Sequence, residues 1–255
     1  MAPKKARARR KLNHSDQETD CPLGKLGGHQ HRSSGIALVA GLGPKSSIYG
    51  RDAKTIAATL EKRGYDTTLC IERRARKHVI RAAFEELSGK AWPGCKCVIY
   101  VGAHADEDRD GQMKILPVER FPGNQSEGID FDWLRSKVTG LPVQRTLLLI
   151  DCCCSGLFVS DSSKCSKRLW KERSLVIVTS CDVDEQSCCY ASEENSPFAE
   201  IVTATFSDGT SPRPRGDQCG VCVSAIQLAN SVQTCMPMYE DQTPLLEIRG
   251  PDFRL

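Results

Sequence analysis

The chain has 255 residues, with 35 Lys and Arg, 32 Asp and Glu, and 14 cysteines, which is long enough for one large core that does not depend on disulfide staples. Residues 1–34 hold eight of the basic and three of the acidic residues, leaving 27 basic and 29 acidic from residue 35 onward, a balance that argues against a nucleic-acid-binding domain. No run approaches the ~20 apolar residues of a membrane span, and polar residues follow the basic amino terminus, so a cytosolic or nuclear, membrane-free protein with mostly reduced thiols is expected.

Residues 1–34 combine charge with Ser, Gly and His and show almost no apolar periodicity, the composition of a disordered basic tail. Its Lys4, Lys5, Arg7, Arg9, Arg10 and Lys11 cluster reads as a solvated tail, with a nuclear address or a patch for an acidic partner as the alternatives. From residue 35 apolar runs alternate with helical spacings. The pattern predicts strands at 36–42, 65–71, 97–104, 146–151 and 174–180, and helices at 51–62, 76–87, 130–138, 197–206 and 221–232. Such alternation implies one α/β domain over 35–255, with a mostly parallel central sheet and helices on both faces. Residues 105–128 and 181–196 are polar and long for connections, and long loops at the carboxyl edge of a parallel sheet commonly carry function.

Two strands end in chemistry. Cys97-Val98-Ile99-Tyr100-Val101-Gly102-Ala103-His104 delivers an imidazole, and Thr146-Leu147-Leu148-Leu149-Ile150-Asp151 runs into Cys152-Cys153-Cys154-Ser155-Gly156. Strands of a parallel sheet set their tips roughly 5 Å apart. A thiol beside a base that can take its proton is an activated nucleophile, and histidine is suited to that role at neutral pH. Alternation puts Asp151 and Cys153 on one side and Cys152 and Cys154 on the other, and spacing alone does not choose among the three thiols.

The motifs resemble those of the caspase-like cysteine peptidases of the metacaspase type. Asp151-Cys152-Cys153-Cys154-Ser155-Gly156 is similar to the family's Asp-x-Cys-x-Ser-Gly block, and His104 to its Ser-Gly-His-Gly block, with Ala103 and Ala105 where the family has glycines. Ala37-Leu38-Val39-Ala40-Gly41 followed by Gly50-Arg51-Asp52-Ala53 resembles the opening strand and helix start. Residues 181–187 resemble the Cys-x-Asp-Asp-Gln segment, with Asp184, Glu185 and Gln186 in register after one extra residue. Ser196-Pro197-Phe198 and Gln242-Thr243-Pro244 resemble later blocks in the same order.

The resemblance implies a caspase-like three-layer sandwich and an endopeptidase in which Cys153 attacks and His104 moves the proton. It places the oxyanion hole at the amides of Ala105 and Cys153, and expects Asp151 and Asp184 to bind an Arg or Lys side chain of protein or peptide substrates. Alanine at 103 and 105 does not favour positive φ, so activity is expected to weaken if the family's backbone shape needs it. The chemistry requires no cofactor. Calcium is implied as an activator, with Glu119, Asp132 and Asp161 at or near the relevant positions, although Phe131 interrupts the family's paired aspartates. An EF-hand starting at Asp106 fails because its twelfth position is Pro117.

Other readings use the same residues differently. Only Cys219-x-x-Cys222 has zinc-like spacing, and it lacks a companion pair. Residues 164–173, carrying Lys164, Lys167, Arg168, Lys171 and Arg173, resemble the linker between caspase halves and are expected to be an autoprocessing loop. A binding scaffold that has lost turnover is the alternative to an enzyme. A redox pair of Cys152 and Cys154 ranks last, because adjacent cysteines seldom bridge without strain.

Overall fold

The computed structural model describes residues 35–43, 47–71, 76–108, 110, 112–116, 128–160, 173–187, 194–208, 223–238 and 242–255. The predicted tail, Glu119, Asp161, residues 164–172 and the Cys219-x-x-Cys222 pair lie outside them. Strands β1 (Gly35–Leu42), β2 (Tyr65–Ile71), β3 (Lys96–Glu107), β6 (Arg145–Asp151) and β7 (Ser174–Thr179) form the parallel part of one sheet. Its order is β2-β1-β3-β6-β7-β8, closed by β8 (Leu246–Arg249), which runs antiparallel to β7.

Two apolar layers pack on this sheet because its strands are apolar on both sides. On one face Ala37, Val39, Val98, Tyr100, Leu147 and Leu149 meet Ala53, Ile56 and Leu60 of α1 (Ile48–Lys62), together with α5 (Pro197–Asp208) and α6 (Ala225–Cys235). On the other, Leu38, Ile99, Val101, Leu148 and Ile150 meet Ile80, Phe84 and Leu87 of α2 (Lys77–Lys90), Leu134 of α3 (Phe131–Gly140) and Phe158 of the short α4 (Leu157–Ser160). The result is the expected three-layer sandwich. Among the described residues, no helix is long and apolar enough to cross a membrane.

The β1 strand has β2 on one side and β3 on the other, so the connection reverses direction there. A crevice forms at the carboxyl ends of strands beside such a switch point. One rung at this edge is decisive: Gly41 of β1 pairs with Gly102 of β3, which pairs with Asp151 of β6.

Several boundaries differ from the sequence reading. The His104 strand continues to Glu107, because residues 104–107 pair antiparallel with β4 (Met113–Leu116), which pairs in turn with β5 (Ile129–Asp130). Much of the expected loop is therefore a small antiparallel extension, where tertiary pairing overrides the poor strand propensity of Ala-Asp-Glu. The first helix begins at Ile48, three residues early, and the last at Ala225, where Ser224 and Gln227 form a capping box.

Candidate active site

Face parity sets Cys152 apart from the other two thiols of the turn. Val98 and Tyr100 belong to the α1 side of the sheet, so Gly102 and His104 follow on that side; Leu147 and Leu149 do the same for Asp151, the last residue of β6, and Cys153 stands in the turn just beyond it. Gly102 is level with Asp151, so the strand that carries His104 and the strand that runs into the Cys153 turn are neighbours, in step at this edge of the sheet. Cys152 instead belongs to the opposite apolar layer and is fully buried, and burial pushes its thiol well above the ordinary range. Cys153 is half-buried and His104 exposed. A buried Cys152 also leaves the redox pairing with Cys154 without an accessible partner.

The turn carrying these thiols is fixed by its neighbours. Cys154 takes a left-handed φ of 54°, and its amide donates to the Glu185 carbonyl at 2.8 Å. Ser155 Oγ accepts from the Cys181 amide at 3.2 Å, and Cys181 Sγ reaches the Cys152 carbonyl at 3.2 Å. A Cβ on Gly156 would lie 2.7–2.9 Å from backbone atoms of Asp182 and Val183. The turn thus closes onto the loop after β7, and only glycine permits the approach. Positive φ is absent at Ala103 and Ala105, which sit in regular strand, so their Cβ atoms impose no backbone strain. Ala105 stands opposite Ile115 of β4.

Asp151 is 1% exposed. Its two oxygens accept from Ser187 Oγ at 2.6 Å and Ser196 Oγ at 2.8 Å. Asp184 is exposed on the loop after β7, where its charge is felt at Cys154. The second buried carboxylate is one that sequence reasoning gave no role: Asp52 of α1, fully buried, accepts from the Ser196 amide at 2.9 Å. Its other oxygen, Oδ2, is buried and has no hydrogen-bond partner among the described residues. Burial, and then the Asp151 charge, raise its pKa to about 7. Burial likewise raises Asp151, against hydrogen bonds from Ser187 and Ser196 that hold it down. The Tyr100 hydroxyl faces Asp151 closely enough to favour its charge without completing a hydrogen bond. The signal was present in the sequence: Asp52, Ile56 and Leu60 share one helical face, so a carboxylate stands on an apolar stripe.

Tyr49, also unassigned from sequence, places its hydroxyl 3.3 Å from His104 Nδ1 and its ring edge-on to the imidazole, with centroids 5.0 Å apart.

The residues implied for calcium fare differently. Asp132 is the described member of the three; its side chain is 79% exposed and pairs with Arg135 at 3.3 Å. Beside it, Lys114 Nζ lies 2.6 Å from Asp108 and 3.5 Å from Asp130. These groups line a cavity of about 740 Å³, in which the Lys114 ammonium and the Arg135 guanidinium face Asp108, Asp130 and Asp132. Among the described residues no group of three or more His, Cys, Asp or Glu is arranged to hold a metal ion. Of the three acids that the resemblance implies for calcium, Asp132 alone is described, and it faces Arg135.

Comparison with known proteins agrees with this architecture. No curated protein sequence matches the chain. Among solved structures, the crystal structure of protein GSU0716 from Geobacter sulfurreducens superposes with a TM-score of 0.62 at 16% identity, covering 86% of this chain and 94% of that one, a likeness of fold. The profile of the caspase domain, peptidase family C14, matches residues 35–245. That span runs from the first strand through the thiol turn to the last strand's approach, and the chain belongs to the caspase-domain family.

Proposed function

We propose that this protein is a cysteine endopeptidase of the metacaspase type that cleaves protein or peptide substrates after Arg or Lys. One observation supports the reading: the strand bearing His104 and the strand that runs into Cys153 are adjacent and level at Gly102 and Asp151, with the buried carboxylates of Asp52 and Asp151 joined there through Ser196. Asp52 Oδ2 is a buried acceptor without a donor among the described residues, a costly arrangement that a cationic side chain would relieve.

In the proposed reaction the Cys153 thiol gives its proton to His104 and the thiolate attacks the scissile carbonyl. The amides of Ala105 and Cys153 receive the developing oxyanion. Imidazolium then protonates the leaving amine, and water, deprotonated by His104, hydrolyses the thioester. The basic side chain of the residue before the cut sits against Asp52 and Asp151, while Asp184 lies on the exposed rim. Calcium enters none of these steps, and its activating role falls to Glu119, Asp132 and Asp161. The basic residues at 164–173 offer the enzyme its own preferred cleavage sequence. Work in the cytosol or nucleus follows from the basic tail and the thiol-rich composition.

The test compares wild type with Cys153→Ala on fluorogenic peptides ending in Arg, Lys or Asp. Cleavage after Arg and Lys that disappears in the variant supports the proposal. Folded wild type without turnover on any of them overturns it in favour of a binding scaffold. The same pair of proteins, followed by mass spectrometry of the intact chain, tests cutting within 164–173.

A further inference from the structure

We propose that Tyr49 is the positioning residue of the His104 imidazole, a role that rests on the peptidase reading and adds a third member to its dyad. Three independent features place it. Its hydroxyl lies 3.3 Å from Nδ1, its ring meets the imidazole edge-on at 5.0 Å, and Tyr49 is only 4% exposed, so a tyrosine held by the core meets an exposed imidazole.

The backbone is shaped to bring it there. A Cβ on Gly41 would lie 2.1 Å from the Tyr49 carbonyl oxygen, and one on Gly43 would lie 2.3 Å from Ser47 Oγ. These glycines at the end of β1 let the first turn of α1 press against the strand tip. Gly41 is level with Gly102, two residues before His104. A side chain rising from α1 at this point meets the imidazole two residues further along the neighbouring strand.

His104 is exposed, and an exposed imidazole without an orienting contact samples several rotamers. Attack needs one rotamer and one tautomer. The phenol oxygen accepts the Nδ1–H, which assigns Nε2 to the thiol. When the Cys153 S–H bond breaks, its proton forms the new Nε2–H bond, and the Tyr49 oxygen faces the charge that appears on the ring. A phenol is neutral and so steadies the imidazolium less than a carboxylate at this position. The buried carboxylates Asp52 and Asp151 are engaged with Ser196 and Ser187 instead.

The experiment is Tyr49→Phe, which keeps the ring and removes only the oxygen. On an Arg peptide, kcat should fall about tenfold or more while KM stays within about twofold, the pattern of a lost transition-state interaction. Two-bond ¹H–¹⁵N spectra of ¹⁵N-histidine protein, with His104 assigned by His104→Gln, should show Nδ1 protonated in the wild type and a shifted tautomer balance in Tyr49→Phe. Unchanged kcat together with an unchanged His104 signal would overturn the role, as would a loss confined to KM. If neither protein cleaves peptides the peptidase reading fails, whereas the spectra still decide whether Tyr49 holds the imidazole.

Discussion

Replacing Asp52 with asparagine tests the buried acid pair directly. Asp52 titrates near 7 in the folded chain, against 3.8 for an ordinary aspartate, and the first cause is burial. At Asp52 the folded state therefore binds a proton more tightly than the unfolded chain, and this group's contribution to stability is greatest at low pH, falling as pH rises from about 4 through about 7. The gap of about 3 pKa units corresponds to roughly 4 kcal/mol across the window, of which about 3 falls between pH 5 and pH 8. Asp151 shares the site, so the titration belongs to the pair and is broader than that of a single group.

The asparagine side chain cannot ionise, while its carbonyl can still accept from the Ser196 amide. Equilibrium urea unfolding followed by tryptophan fluorescence should show wild type and Asp52→Asn converging near pH 4, with the variant more stable by up to about 4 kcal/mol at pH 8. The same change should reduce kcat/KM on Arg peptides by about a hundredfold, because a desolvated charge partner is lost. Superimposable stability curves for the two proteins from pH 4 to pH 8 would refute the burial argument, whatever the activity data show.

Cys153→Ala should abolish turnover with little change in stability, whereas Cys152→Ala should keep turnover and lose about 1–2 kcal/mol from the opposite core in urea unfolding. Gly156→Ala should cost about 2–3 kcal/mol and depress activity, since its Cβ would meet backbone instead of a yielding side chain; an unchanged urea midpoint would contradict that. Lys114→Gln removes the cation between Asp108 and Asp130. Calcium at about ten times its Kd should then raise the variant's Tm by roughly 3–5 °C and move the wild type by less than about 1 °C.

The alternation of apolar runs and helical spacings was enough to set the sandwich, because strands buried on both faces and helices with one apolar face have few other ways to pack. The thiol turn and the histidine were legible because both end such runs. Parity along Leu147, Leu149 and Asp151 also grouped Asp151 with Cys153. What sequence left undecided was contact between segments distant along the chain. Cys152 and Cys153 separate only once the sheet has two distinct covers, one of which takes Cys152. Asp52 and Asp151 become a pair only because Ser196, 45 residues beyond Asp151, bridges them. The Ala105 segment became a strand because β4 offered it hydrogen bonds that its own propensity does not demand. That Asp132 faces Arg135, and Asp108 and Asp130 face Lys114, is likewise set by the fold. Local periodicity writes an element's type and its buried face, but which charge neutralises which depends on tertiary distances of a few ångströms, and only the folded chain sets those.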